Sequence, residues 1–260
     1  MATGIAIDAN SELGVCEPCQ KGKQTRQPSH EPAKRAENPG DLVHSDTCGP
    51  ITPESVGGAK YYTTFTDDAC RMTWIYPLKS KSATEMLEKF KEFENGAKYP
   101  IRRIRTDGGT EYKGVFAQYL KERGIKHEVS APYSPEQNGV SERVNRTIVE
   151  RTKAILADSN LPKQLWMEIA STVVYLKNRS PTSAVKDMTP YEAWHKEKPD
   201  LSHLQIIGTK AYVHVPKDLR KKLDFNAKTG IFVGYDGRNQ YRIWDPAKQD
   251  VIVFRDVEFD

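Results

Sequence analysis

No purely apolar run in this 260-residue chain exceeds four residues, Val173-Val174-Tyr175-Leu176 being typical. A bilayer-spanning helix needs about 20, so no membrane partner is expected. The opening residues, MATGIAIDANSELG, lack both the basic start and the sustained apolar stretch of a secretory signal. Cysteine is scarce: four residues do not make a disulfide scaffold, and a reducing compartment is the simpler expectation. Nor does one charge dominate. Lys+Arg total 39 against Asp+Glu 35, a formal +4, which excludes a globally acidic or strongly polybasic protein. Hydrophobic residues make up 37% and aromatics 9%, lean but enough to core one large domain or two small ones. There is no internal repeat.

Residues 1–40 are poor in large apolar side chains and rich in Gln, Lys, Pro and Ser, which reads as an arm or linker. From Leu42 the pattern changes. Residues 42–46 predict a short strand; 61–65 and 72–78 are β-branched and aromatic runs separated by Asp67-Asp68, a hairpin. Met86, Phe90 and Phe93 recur at helical spacing within 82–98. A strand at 101–106, a helix at 115–122 ended by Gly124 and a strand at 125–129 follow. Long helices are predicted over about 139–158 and 163–178, with a turn or two at 190–196. After about residue 205 the period switches to two, giving four or five strands with an apolar centre around Val213, Phe232, Trp244 and Val253. Three strands before the α/β alternation suit a ribonuclease-H-like α/β fold: a mixed sheet with flanking helices, then a small all-β module.

Three acids stand where such a fold can gather them. Asp46 ends the first strand, Asp107 ends the fourth, and Glu142 lies early in the long helix with 34 residues between it and Asp107. On that helix Val140, Val144, Ile148 and Ile155 form one stripe, and Glu142 points roughly 150° away with Arg146 and Lys153 on its face. Singly, Asp107 before Gly-Gly reads as a turn former and Glu142 as a solvated charge. Together, clustered carboxylates repel unless cations neutralise them, and oxygen ligands favour Mg²⁺ or Mn²⁺. Two such ions can activate an attacking oxygen and stabilise the leaving oxygen of a phosphodiester.

Several ordered blocks then resemble one family. HSDTCGP (44–50), FTDDACRMTWIYPL (65–78), RTDGGTEY (105–112) and APYSPEQNGVSERVNR (131–146) resemble the integrase of copia-type LTR retrotransposons. IFVGYDGRNQYRIWDP (231–246) and VIVFRDVEFD (251–260) look like that family's downstream SH3-like module, and CEPCQKGKQ (16–24) like the tail of its zinc-binding domain. The resemblance implies a zinc-domain remnant and linker over 1–40, a catalytic core over 41–160, a helical extension over 161–204 and the β module over 205–260. It implies processing of element DNA 3′ ends and their joining to target DNA. By the same resemblance Asp46, Asp107 and Glu142 form the catalytic triad and bind two divalent ions, while Gln137, Asn138 and Gly139 match the motif preceding the Glu. The Asp107–Glu142 interval is one residue shorter than the family's usual one. Residues 1–15 contain no histidine, so Cys16 and Cys19 stand alone, no closed zinc site is expected, and a fragment of a polyprotein is the expected origin.

The stretch 210–228 concentrates cations, Lys217, Arg220, Lys221 and Lys222 among them, with an excess of four positive charges. Such a patch is an electrostatic footprint for phosphates; Arg143, Arg146 and Lys153 offer a second on the long helix. Trp166, Trp194 and Trp244 read as core, Cys48 and Cys70 as small buried residues, and His44 and His127 as structural. The leading expectation is a metal-dependent polynucleotidyl transferase acting on DNA, oligomeric when functional, in the nucleus or in a cytoplasmic particle before integration. The alternative is a decayed, inactive relative that still binds nucleic acid. A ribonuclease H is third, and SPEQNGVSER argues against it.

Overall fold

The computed structural model describes residues 35–130 and 135–260; the arm with Cys16 and Cys19 lies outside them, as do the side chains of Gln137 and Asn138. Strands β1 (Val43–Cys48), β2 (Tyr61–Asp67), β3 (Thr73–Leu78), β4 (Arg103–Thr106) and β5 (Lys126–Val129) form a mixed sheet of order β3-β2-β1-β4-β5. β1 pairs with β2, and β2 with β3, antiparallel; β1 with β4, and β4 with β5, are parallel. The antiparallel meander followed by parallel strands is the ribonuclease-H-like arrangement expected from the sequence. Asp67-Asp68 do form the hairpin turn. Asp67 accepts from the Gly40 and Cys70 N–H groups, and Asp68 from His44, Arg71 and the Ala36 N–H.

Helix α1 (Ala83–Gly96) starts where the Ser82 hydroxyl accepts the Glu85 N–H, 3.2 Å away. Its buried stripe, Met86, Phe90 and Phe93, covers one face of the sheet together with α2 (Val115–Glu122). Phe93 stacks on Phe65 and Phe90 meets Phe116 edge-on, with centroids 4.7 and 5.4 Å apart. Burying each such ring contributes about 2–3 kcal/mol. The opposite face is covered by α3 (Pro135–Asp158), through Val144 and Ile148, and by α4 (Trp166–Arg179). α3 begins four residues before the sequence suggested. Proline is at ease in a helix's first turn, and an interior glycine such as Gly139 costs only about 1 kcal/mol. A short α5 (Pro190–His195), capped by Thr189, buries Trp194 against Trp74 and Tyr99.

Strands β6 (Lys210–His214), β7 (Ala227–Tyr235), β8 (Tyr241–Asp245), β9 (Asp250–Phe254) and β10 (Val257–Phe259) build a second, all-antiparallel sheet of order β10-β6-β7-β8-β9. Its core differs from the one expected. Val213 and Phe232 centre it with Ala211, Tyr235 and Ile243, but Val253 is only partly buried. Trp244 turns the other way, joining Val233 in the core shared with α3 and α4. The alternation that puts Phe232 on one face puts Val233 on the other, and α4 covers that second face. The approach is close: Thr172 on α4 donates to the Val233 carbonyl, 3.1 Å away, and a Cβ on Gly234 would stand 2.3 Å from the Thr172 hydroxyl. Trp166, Trp194 and Trp244 are all core, Cys70 is buried, and Cys48 is half-buried. No helix among the described residues is long and apolar enough to cross a membrane.

Candidate active site

β1 and β4 run side by side in parallel, with His44 opposite Arg105. Continuing that register two residues sets Asp46 beside Asp107, on the sheet face that α3 covers. Side chains alternate along a strand. Val43 and Ile104 therefore enter the core beneath α1 and α2, whereas His44, Asp46 and Cys48 face α3. On the α1/α2 side the Tyr112 hydroxyl meets Ser45 at 3.0 Å and Thr47 at 3.3 Å, pinning the strand end that carries Asp46.

Asp46 is half-buried and held at both oxygens: Oδ1 accepts the Thr47 N–H and Oδ2 the Asn145 side-chain amide, each at 2.9 Å. Burial, and after it the Asp107 charge, push its carboxyl up to about 6 against the weaker pull of those donors and of Lys81. Asp107 Oδ1 accepts the Gly109 N–H at 3.0 Å, closing the turn. Glu111 sits in the same turn and is almost fully buried, with Lys81 Nζ 3.4 Å from its Oε1. A Cβ on Gly109 would stand 2.6 Å from a Glu111 carboxylate oxygen and 2.9 Å from Asp107 Oδ1. A side chain there would have to push one or both carboxylates aside, because they crowd the point its Cβ would fill.

Glu142 lies on α3 one turn before Asn145, about 60° around the axis, and hence on the side of the sheet to which Asp46 points. It is exposed, and no hydrogen bond or ion pair holds it among the described residues. No group of three or more Asp, Glu, His or Cys side chains there stands close enough to hold a metal ion. The structure therefore brings Asp46 and Asp107 together and sets Glu142 nearby on the helix without closing the triad. The pair itself fits a divalent cation: two adjacent carboxylates, one driven toward its protonated form by burial and its neighbour, gain from a positive charge between them.

Of the remaining sequence candidates, Arg143, Arg146 and Lys153 are exposed on α3, and Gly139 is half-buried in its second turn. Lys217, Lys221 and Lys222 project from the β6–β7 connection, with Arg220 half-buried among them. Three participants escaped sequence reasoning: Asn145, Glu111 and Lys81. The spacing of Asn145 three residues after Glu142 was the available signal. Ser141, Asn145 and Thr152 are buried on α3 beside Val144 and Ile148, so the helix face against the sheet is partly polar and the apolar stripe understates it.

The chain matches known proteins along most of its length. Residues 36–135 match the integrase core domain and residues 209–260 the retroviral polymerase SH3-like domain. It is 44% identical, over 98% of its length, to the retrovirus-related Pol polyprotein from transposon TNT 1-94 of Nicotiana tabacum, and 32% identical, over 88%, to that from transposon RE2 of Arabidopsis thaliana. It spans only 20% and 16% of those two relatives. In fold it is similar to a chain of the simian T-cell lymphotropic virus intasome in complex with PP2A regulatory subunit B56 gamma, with a TM-score of 0.57, 16% identity, and coverage of 92% of this chain and 84% of that one. With its two domains in this order and these relatives, the chain belongs to the integrase family of copia-type retrotransposon Pol polyproteins.

Proposed function

We propose that this chain joins DNA 3′ ends to target DNA, after processing them, with Asp46, Asp107 and Glu142 holding two Mg²⁺ or Mn²⁺ ions. The observation that carries the reading is the Asp46–Asp107 pair at adjacent parallel strand ends, with Asp46 pushed up to about 6 by burial and by its neighbour. When bound, such ions activate an attacking oxygen and stabilise the leaving oxygen of a phosphodiester. The chain's own residues prepare that chemistry. The Thr47 N–H and the Asn145 amide fix the Asp46 carboxylate, and the Gly109 N–H fixes that of Asp107. Glu142 projects into solvent on the same side, free to approach. Arg143, Arg146 and Lys153 give α3 an exposed cationic face for DNA phosphates, and Lys217, Arg220, Lys221 and Lys222 add a second.

Joining to target DNA requires access to that DNA, so we place this activity in the nucleus, in a homo-oligomer. The exposure of Glu142 favours one rival, an inactive DNA-binding relative. A strand-transfer assay decides between them. The chain is incubated with a labelled duplex ending in element-terminal sequence, a target duplex, and Mg²⁺ or Mn²⁺. Joined product supports the enzyme; salt-dependent binding without product under either ion supports the binder.

A further inference from the structure

A cavity of about 220 Å³ opens between α3, α4 and the β2–β3 turn, on a face of α3 other than the one that meets Asp46. Three cations line it, Arg71, Arg143 and Lys177, with the hydroxyl-bearing Thr147 and Thr182 beside them. Val140, Arg143, Val144 and Thr147 recur every three or four residues, so one helix face forms the wall.

The charge there is unbalanced. Lys177 donates to the Arg71 carbonyl at 3.1 Å and to Thr73 Oγ1 at 3.0 Å, both uncharged acceptors, and no carboxylate pairs with it among the described residues. Arg35 joins from behind, its guanidinium bonded to the carbonyls of Asp68, Ala69 and Ala184, the last of which borders the cavity. Asp68 is the single acid in the group among the described residues. It is already shared by Arg71 at 2.9 Å, His44 at 3.1 Å and the Ala36 N–H at 2.7 Å. Burial, and then the Arg71 charge, push the Lys177 ammonium down to about 8. Arg71 also holds a left-handed backbone, φ +63°, where glycine or asparagine would sit with less strain. Among the described residues, Arg35, Arg71 and Lys177 are partly buried with one committed acid, which is costly as it stands, and an anion in the cavity would offset that cost.

We propose that this cavity is a subsite for a backbone phosphate of a DNA strand lying along α3. The donors left over fit a tetrahedral oxyanion: Arg71 and Arg143 keep guanidinium N–H groups beyond those given to Asp68 and the Gly139 carbonyl, Lys177 keeps one ammonium hydrogen beyond its two bonds, and the Thr182 hydroxyl can donate. The cavity has room for one phosphate group and a few waters. Arg143 is the wall residue nearest Glu142, about 100° around α3 from it and exposed, so a duplex whose one strand is held at the acids can set a backbone phosphate of its neighbouring turn against the Arg143 side of the cavity. The assignment rests on the DNA-joining reading and adds to it a fixed grip on the DNA away from the reacting phosphodiester.

The test uses the full chain and two probes. Inorganic phosphate, compared with chloride at equal ionic strength, should raise the melting temperature of the wild type but not that of Lys177→Met. A 20-base-pair duplex, titrated at several salt concentrations, should bind several-fold more weakly to Lys177→Met and to Arg143→Gln. Each should flatten the slope of log K against log[salt] by about 0.9. Thr182→Glu, at the half-exposed rim, places an acid at the mouth and leaves the Lys177, Arg71 and Arg35 contacts in place, giving up only the long bond from the Ala184 N–H, 3.4 Å. It should reproduce both effects if Lys177→Met fails to fold. Wild-type affinity and slope in Lys177→Met and Thr182→Glu, with DNA joining intact, overturn the subsite and leave the joining activity standing. A phosphate response lost in Lys177→Met, in a chain that binds no DNA at all, overturns the DNA strand as occupant together with the joining activity.

Discussion

Replacing Asp46 by Asn should make the protein more stable at neutral pH, at the expense of its chemistry. The folded-state carboxyl lies at about 6, against 3.8 for the unfolded chain. A raised carboxyl binds its proton more tightly when folded. Stability is therefore greatest below about pH 4, falls as pH rises through 6, and is flat above. The full shift corresponds to about 3 kcal/mol; the carboxylate is only partly buried, and solvent screening reduces this to about 1–2 kcal/mol. The amide that replaces the carboxylate keeps one oxygen, for the Thr47 N–H, and sets an NH2 where the second oxygen took the Asn145 amide; Asn145 meets it by turning its unpartnered Oδ1 toward it. Asp46→Asn should thus melt about 3–6 °C above the wild type at pH 7, with the difference vanishing near pH 4. Mn²⁺ should close the gap at pH 7, because an ion bound to the folded wild type stabilises it by mass action and the variant has lost a ligand. Differential scanning calorimetry from pH 4 to 8, with and without Mn²⁺, measures both. A variant no more stable than the wild type at pH 7, with an unchanged pH profile, would refute the reasoning.

Further consequences follow from other parts of the structure. Gly109→Ala forces apart the Asp107 and Glu111 carboxylates; joining should fall at least tenfold while duplex affinity stays within twofold, and unchanged joining would show that the turn tolerates a side chain. Replacing Lys221 and Lys222 by Ala should weaken binding to all duplexes alike and flatten the salt slope by about 0.9 per lost contact, read by fluorescence anisotropy; an unchanged slope makes that connection a solvated loop. Trp244→Ala should cost about 3–5 kcal/mol and lower the melting of the whole described unit in one transition, since its ring lies in the core shared with α3 and α4; a separate early transition confined to the second sheet would contradict that sharing.

The strand ends were legible because an acid closes each short strand ahead of a glycine turn, as at Asp46 before Cys48-Gly49-Pro50 and Asp107 before Gly108-Gly109. The stripe of α1 was legible because Met86, Phe90 and Phe93 are large and evenly spaced. What stayed hidden was polar or short. Asn145 and Ser141 are buried beneath the site, where hydrophobic periodicity counts them as solvent-facing. Glu111 looks like any charged residue near a turn, and only the crowding at Gly109 shows its carboxylate packed beside Asp107. β10 has three residues, too few for a period to show. Trp244 reads as core in the sequence yet lies on the other side of its sheet, because alternation says which residues share a face and not which face meets a helix.

On the proposed function, the Asp46–Asp107 pair acts in chemistry and not in holding DNA. Single-turnover joining by Asp107→Asn, measured with Mg²⁺ beside duplex affinity at the same salt, tests this most directly. The predicted result is joining reduced by orders of magnitude with affinity unchanged or tighter, since a negative charge leaves the site. Joining and binding that fall together, or joining that persists, would contradict it.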